Sequence, residues 1–535
     1  MNVRLSTISQ LSIILLFIIP LLLGMSCDER ALSIPKREFR AVWVATFHNI
    51  DWPSAKGLPA SKQKNEFKAL LNKQQGNGMN AVVVQVRPSG DAFYKSKISP
   101  WSEYISGKQG HSPNPYYDPM QFMIEECHDR NMEFHAWMNP FRAVSHTRFS
   151  SVAPQNIVNK HPEWTFKYGE RLYLNPGVPQ VREYLVKVVM EVVRNYDIDG
   201  IHFDDYFYPY PKGGMALPDT RTFQSYGNRY RDINAWRRQN IDLFIEELSD
   251  SIRAVKPYVK FGISPVGIWR NKQQDRRGTP VRSNFTSYDM LHADVRTWLE
   301  KGWIDYVAPQ VYFNIQHPTA DYAKIVPWWA KNAFGKHVYV GQAIFKSKSG
   351  ENSAWRDPSQ LPRQLKFNLS FPQIKGSIFY SANSFNTNPK GIQQVLRNDR
   401  YRFPALIPSM KWKDSIPPHS PKDFRVEEAD NGDAMLKWRT PQTASDGETA
   451  TYYVVYRFPK SSPIDIMSPE RIVGITKDLV FRDETRNTQK DYTYVVTSVD
   501  RLHNESKTVA AGFLPSSMYH NRENKESRSP RGRGF

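Results

Sequence analysis

Gly200-Ile201-His202-Phe203-Asp204-Asp205-Tyr206-Phe207 reads as a β-strand that ends in two adjacent carboxylates. Its first half is apolar on both sides, as expected of a parallel strand covered on both faces. Seven more runs of this kind flank it: 39–46 (FRAVWVAT), 81–88 (AVVVQVRP), 133–140 (EFHAWMNP), 260–268 (KFGISPVGI), 304–312 (IDYVAPQVY), 337–345 (HVYVGQAIF) and 376–383 (GSIFYSAN). Helical patterns separate them. Val181, Tyr184, Leu185, Val188, Val189, Val192 and Val193 fall on one helical face, as do Trp236, Asn240, Phe244, Leu248 and Ile252. Asp118-Pro119 is a helix start, with an N-cap carboxylate and proline in the first turn. Eight strands alternating with helices predict an α/β fold, a (β/α)8 TIM barrel, followed by a small all-β sandwich. A doubly wound sheet would want a Gly-rich phosphate loop after a strand, and none is present.

The barrel is expected over 27–403. Residues 404–421 hold five prolines, among them Pro417-Pro418, and read as a linker that lets the two parts fold separately. Strand signals at short spacing follow over 422–515, with no helical pattern. Trp438 and the alternating Tyr492, Tyr494 and Val496 resemble the core of a fibronectin type III sandwich. Residues 516–535 read as a disordered basic tail carrying Arg528, Arg531 and Arg533. At the other end, 1–26 reads as a signal peptide of the lipoprotein type. Arg4 precedes an apolar run over 11–23, too short for the roughly 20 residues of a membrane span, and Ser26-Cys27 follows. Cys27 is then the lipidation site, and the lipid would hold the chain at a membrane without a spanning helix.

Lys+Arg exceed Asp+Glu, 72 against 53, for a formal charge of +19. The surplus suits anionic surroundings. Nucleic acid is not the expected partner, because the basic residues form no stripe and an exported protein rarely meets it. Two cysteines, Cys27 and Cys127, rule out a disulfide scaffold and a four-thiolate zinc site. No metal-ligand pattern and no cofactor motif are present, so none is expected.

In such a barrel the chemistry sits where the strands end. There the sequence places carboxylates (Asp51, Asp91, Asp204, Asp205), aromatic rings (Trp52, Trp137, Tyr206, Tyr208, Trp269, Tyr312), and the amides and guanidinia of Asn139, Gln310, Arg87 and Arg142. Rings pack on the apolar faces of sugars, while amides, carboxylates and arginines bind hydroxyls. Strand alternation puts His202 and Asp204 on one side and Asp205 on the other. Asp204 is therefore the expected nucleophile or base. The acid would come from Asp205, Asp91 or Asp51. His135 and His202, inside strands, are expected to be hydrogen-bonded core residues.

Several motifs resemble the glycosyl hydrolase-like 10 family of bacterial proteins. They are Arg40-Ala41-Val42-Trp43-Val44-Ala45-Thr46 with Asn49-Ile50-Asp51-Trp52-Pro53, then Val84-Gln85-Val86-Arg87-Pro88 with Asp91-Ala92. Next come His135-Ala136-Trp137-Met138-Asn139-Pro140, the 199–209 run, and Ala308-Pro309-Gln310-Val311-Tyr312. The resemblance implies a glycosidase barrel acting on envelope glycan, with peptidoglycan strands lacking stem peptides as substrate. It implies residence at the bacterial cell envelope as a membrane-anchored lipoprotein, the outer membrane being favoured. Related sugar-cleaving barrels often carry a second carboxylate further round the rim, but the fifth strand here ends Ser264-Pro265-Val266-Gly267-Ile268-Trp269. A glycan-binding lipoprotein without catalysis is the alternative reading.

Overall fold

A computed structural model describes residues 34–146, 151–429 and 431–512. The expected signal peptide, Cys27 and the basic tail beyond residue 512 lie outside these.

Eight parallel strands close into a barrel: β1 (Phe39–Val44), β2 (Ala81–Arg87), β3 (Glu133–Met138), β4 (Gly200–Phe203), β5 (Lys260–Ile263), β6 (Tyr306–Val307), β7 (His337–Gln342) and β8 (Ile374–Phe379). Each pairs with its neighbours in the sequence, and β8 pairs with β1. All eight expected strands are present, each shorter than its apolar run, because the runs continue into the loops at the mouth. Helices pack outside. The helix Pro179–Asn195 buries Val181, Leu185, Val188, Val189, Val192 and Val193 against the sheet, each aliphatic side chain contributing about 1.5–3 kcal/mol. Asp118 caps Pro119–His128 by accepting from the backbone N–H groups of Met120 and Gln121 at 3.1 and 3.3 Å. Asp294 caps Val295–Glu300 at the Thr297 N–H, 3.3 Å away, whereas Asp289 is drawn into a pair with Arg270.

A polar column runs down the barrel axis. The Trp43 indole donates to His202 Nε2 at 3.1 Å. That fixes His202 as a donor from Nδ1 to the Tyr306 hydroxyl at 3.0 Å. Tyr306 then donates to His135 Nδ1 at 2.8 Å, and His135 Nε2 donates to Glu133 at 2.8 Å. Both histidines are fully buried and hydrogen-bonded, and burial holds His202 well below the usual histidine range. The column needs glycine in two strands. A Cβ on Gly200 would stand 2.6 Å from His135 Nδ1, and one on Gly262 would strike the Tyr306 ring.

The column ends on an ionic hub at the opposite face. Glu133 accepts from Lys260 and from His503 Nε2, the latter at 2.5 Å. His503 belongs to the C-terminal sandwich, which is built from β9 (Lys422–Glu428), β10 (Ala434–Arg439), β11 (Tyr452–Pro459), β12 (Ile472–Thr476), β13 (Val480–Asp483), β14 (Tyr492–Val499) and β15 (Val509–Ala511). The orders are β9-β10-β13 and β12-β11-β14-β15, and all pairs are antiparallel. Val426, Leu436 and Trp438 meet Tyr453, Val455, Tyr494 and Val496 between the sheets.

The proline-rich segment is not a free tether. Leu406 exchanges backbone hydrogen bonds with Lys36 and Glu38, each 2.9 Å long. Ile407 and Met410 pack against Phe39, Tyr306 and Tyr339 in the barrel floor. Trp412 and Lys413 hold Asp305 at 2.9 Å each. Prolines remove backbone donors without preventing side-chain packing, so composition pointed to a spacer where the chain forms a plug. Lys36 and Arg37 also pair with Glu505 of the sandwich. Barrel, plug and sandwich thus share buried contacts.

Candidate active site

Strand alternation aims Ala81, Val83 and Gln85 inward on β2. Gln85 Oε1 accepts from the N–H groups of Thr46 and Phe47 at 3.0 and 2.9 Å. Its Nε2 must therefore face Asn139, donating to Oδ1 at 2.7 Å. Asn139 in turn presents Nδ2 to Asp204 Oδ2 at 2.5 Å, and the Trp137 indole reaches the same oxygen at 3.2 Å. The Tyr206 N–H donates to Oδ1 at 3.3 Å. Three donors on one carboxylate are a socket for the ionised form. Burial raises the Asp204 carboxyl above its ordinary value. The Arg142 charge and the hydrogen bonds of Asn139, Tyr206 and Trp137 pull the other way.

Asp205 has a different environment. The Tyr210 hydroxyl donates to Oδ2, and the Gln310 amide approaches Oδ1 at 3.4 Å. Burial, then the neighbouring Asp204 charge, pushes it up to about 7. β4 ends at Phe203, so strand alternation no longer governs the next two residues. Asp205 does not turn to the far side as alternation predicts. It meets Gln310 at the mouth, beside Asp204. Two adjacent carboxyls in such unequal surroundings are suited to divide acid and base roles.

The wall around them is aromatic and basic. Arg142 stacks on Tyr206 at 3.5 Å and lies 5.2 Å from the Phe47 ring. Its Nε is buried without a partner. Arg171 stands 6.0 Å from the same Phe47 ring. Tyr312 meets Phe345 and Tyr380 at 5.4 and 6.2 Å. Arg142 and Arg171 are carried by an antiparallel three-stranded insert, Arg142–Val144, Thr165–Tyr168 and Arg171–Leu174.

Other expected site residues lie elsewhere. Asp51 is a seam brace. It accepts from the Ala45 N–H at 2.7 Å, the Ser381 hydroxyl at 2.7 Å and the Asn383 N–H at 2.6 Å, tying the loop after β1 to the loop after β8. Burial lifts it to about 6. Asp91 is buried below the loop after β2, accepts from Gln109 at 3.0 Å, and also stands at about 6 because of burial. Arg87 is fully buried and reaches the carbonyls of Asn139 and Pro140 at 3.3 and 3.4 Å, so it holds the loop after β3 rather than facing the mouth. Trp52, Tyr208 and Trp269 are corrections as well: each is at most 1% exposed and packs in the main core. The Trp52 and Trp269 indoles are spent on Gln63 and Asp294. Residues past a strand end turn either over the mouth or back under a loop, and sequence position alone does not distinguish the two.

Gln85, Tyr210, Tyr380 and Arg171 were missed. Gln85 carried a legible signal, an amide at an inward position of a buried strand. A β-bulge between Gln85 and Arg87 breaks the same alternation for Arg87. A cavity of about 530 Å³ lies away from the mouth. It lies between the barrel floor and the sandwich, lined by Glu133, Asp199, Tyr401, Tyr452 and His503 among others. Barrel chemistry is carried at the opposite end, so the cavity is not taken as the active site.

Residues 38–357 match the family model described as Glycosyl hydrolase-like 10. The chain is 43% identical to "Glycosyl hydrolase YngK" of Bacillus subtilis (strain 168), over 92% of this chain and 97% of that protein. It is 36% identical to "Glycosyl hydrolase DigH" of Escherichia coli (strain K12), over 65% of this chain and 83% of that one. Among solved structures, the PgaB (BpsB) glycoside hydrolase domain from Bordetella bronchiseptica aligns with a TM-score of 0.44 at 13% identity, over 67% of this chain and 99% of that one. With the barrel and its paired carboxylates in place, the family match and the two sequence relatives lead to one conclusion: the chain belongs to the glycosyl hydrolase-like 10 family and is a glycoside hydrolase.

Proposed function

We propose that this glycoside hydrolase cleaves the glycan strands of bacterial peptidoglycan after their stem peptides are gone, through Asp204 and Asp205. The observation that carries this reading is the unequal carboxyl pair at the mouth. Asp205, near 7, keeps a proton far above the usual carboxylate range and gives it to the departing glycosidic oxygen. Asp204, in its three-donor socket, stays ionised and serves as nucleophile or base at the anomeric carbon. Tyr206, Tyr312 and Gln310 contact sugar faces and hydroxyls.

Arg142 supports the substrate class. A muramic acid residue without its peptide exposes a free lactyl carboxylate, and a guanidinium with an unpartnered Nε beside the reacting pair suits that anion. We further propose export with a lipid on Cys27 and residence at the bacterial envelope, the outer membrane favoured. The β9-β10-β13 and β12-β11-β14-β15 sheets support a fibronectin type III-like sandwich. Reducing-end release from peptide-free glycan strands, set against intact peptidoglycan, tests the substrate. No release from the former by folded wild-type protein would refute it.

A further inference from the structure

Three carboxylates converge beneath the barrel, far from the catalytic pair in the sequence. Asp414 comes from the plug, Glu448 from the loop between β10 and β11, and Asp500 directly follows β14. Each offers one oxygen, and these oxygens lie within 4.8 Å of one another. Like charges this close repel unless something neutralises them. No lysine or arginine among the described residues pairs with any of the three, in a chain of net charge +19. The basic residues adjacent in sequence, Lys413 and Arg501, are committed to Asp305 and to Asp197 and Asp199.

Asp500 supplies an independent sign. It is fully buried, and its Oδ1 accepts from the Asn504 N–H at 2.8 Å. Its Oδ2 is buried with no hydrogen-bond partner at all. An orphaned, buried carboxylate oxygen is strongly unfavourable when no cation or donor meets it. Asp414 keeps its orientation because Asn504 Nδ2 donates to Oδ2 at 2.6 Å and the Ile416 N–H donates to Oδ1 at 2.9 Å.

We propose that Asp414, Glu448 and Asp500 form a binding site for a divalent cation of the calcium type. The donors are all oxygen, with no histidine or cysteine in the group, which selects a hard cation over zinc or copper. The cation joins three segments distant in the chain: plug, sandwich loop and the end of β14. Asp500 leads directly to Arg501 and His503, the residues that reach Asp199 and Glu133 in the barrel floor. The cation's role is thus to clamp the underside of the barrel to the sandwich, not to take part in glycoside cleavage.

The test uses the full exported chain, stripped with a chelator and titrated with calcium chloride by calorimetry and thermal melting. One site is expected, with a dissociation constant on the order of 10⁻⁴ M, in the range of extracellular calcium modules. Saturating calcium should raise the Tm by several degrees. Asp500→Asn and Glu448→Gln should each weaken binding at least tenfold. Hydrolysis by the stripped enzyme, measured well below its Tm, should stay within twofold of the loaded enzyme. If Asp500→Asn does not fold, Glu448→Gln decides, because its side chain is only partly buried. Absence of heat and of any Tm shift at about 10 mM calcium would overturn the proposal. So would wild-type binding by a folded Glu448→Gln protein, or an equal rise with magnesium in wild type and variants.

Discussion

Replacing Asp204 by asparagine isolates the charge at the reaction centre. The new side chain keeps its size, and its carbonyl still accepts from Asn139 Nδ2 and the Trp137 indole, now 2.5 and 3.2 Å away. Only the 3.3 Å contact from the Tyr206 N–H becomes donor against donor, at a cost of about 1 kcal/mol. Removing one of two adjacent buried carboxylates offsets that cost, so the melting temperature should move by no more than a few degrees. The chemistry should suffer far more. An oxocarbenium-like transition state loses the anion facing it, worth at least about 3 kcal/mol, or more than roughly a hundredfold in rate. A second effect follows from the pairing. The Asp204 charge is one reason Asp205 stands near 7. Without it, Asp205 gives up its proton at lower pH, and the alkaline limb of residual kcat/KM shifts down. The assay is reducing-end release from peptide-free glycan strands across pH 4–9, with thermal melting as the folding control. A well-folded Asp204→Asn enzyme within tenfold of wild type would refute the assignment.

Asp205→Asn should remove the alkaline limb and slow natural substrate more than roughly a hundredfold, while an aryl glycoside with a good leaving group, which needs no acid, should lose much less; equal losses on both would count against Asp205 as the acid. Because the folded carboxyl is raised above its unfolded value, its contribution to stability is whole below about pH 4 and is lost as pH rises toward 7. Between pH 5 and 7 Asp205→Asn should therefore gain on wild type by roughly 1 kcal/mol per pH unit in denaturant titrations, and a constant difference would contradict this. Glu133→Gln leaves Lys260 buried without its counter-charge and should cost about 3–5 kcal/mol; a loss below about 1 kcal/mol would show that the hub is not a shared core. Cys27→Ala should release the protein from membranes, and unchanged membrane fractionation of the processed variant would sink the anchor.

Much of the barrel was legible because parallel strands covered on both faces must be apolar throughout, and Val82, Val84, Phe134 and Ile201 say so without any partner in view. Helix caps were legible for a similar local reason: Asp118 bonds the N–H groups two and three residues on. Asp204 could be singled out because a buried carboxylate at the end of a barrel strand needs a function or a partner. Tertiary structure alone decided the rest. Whether Trp52, Tyr208 and Trp269 turn over the mouth or under a loop depends on what the neighbouring elements leave open, which no local pattern encodes. The proline-rich segment reads as a spacer from composition, yet Ile407 and Met410 fill the barrel floor. The hub at Glu133 joins residues hundreds of positions apart in the chain, and so does the Asp51 brace to Ser381 and Asn383. A strand's burial is written in its own residues, but a pairing of charges is a property of two segments that only the closed barrel brings together.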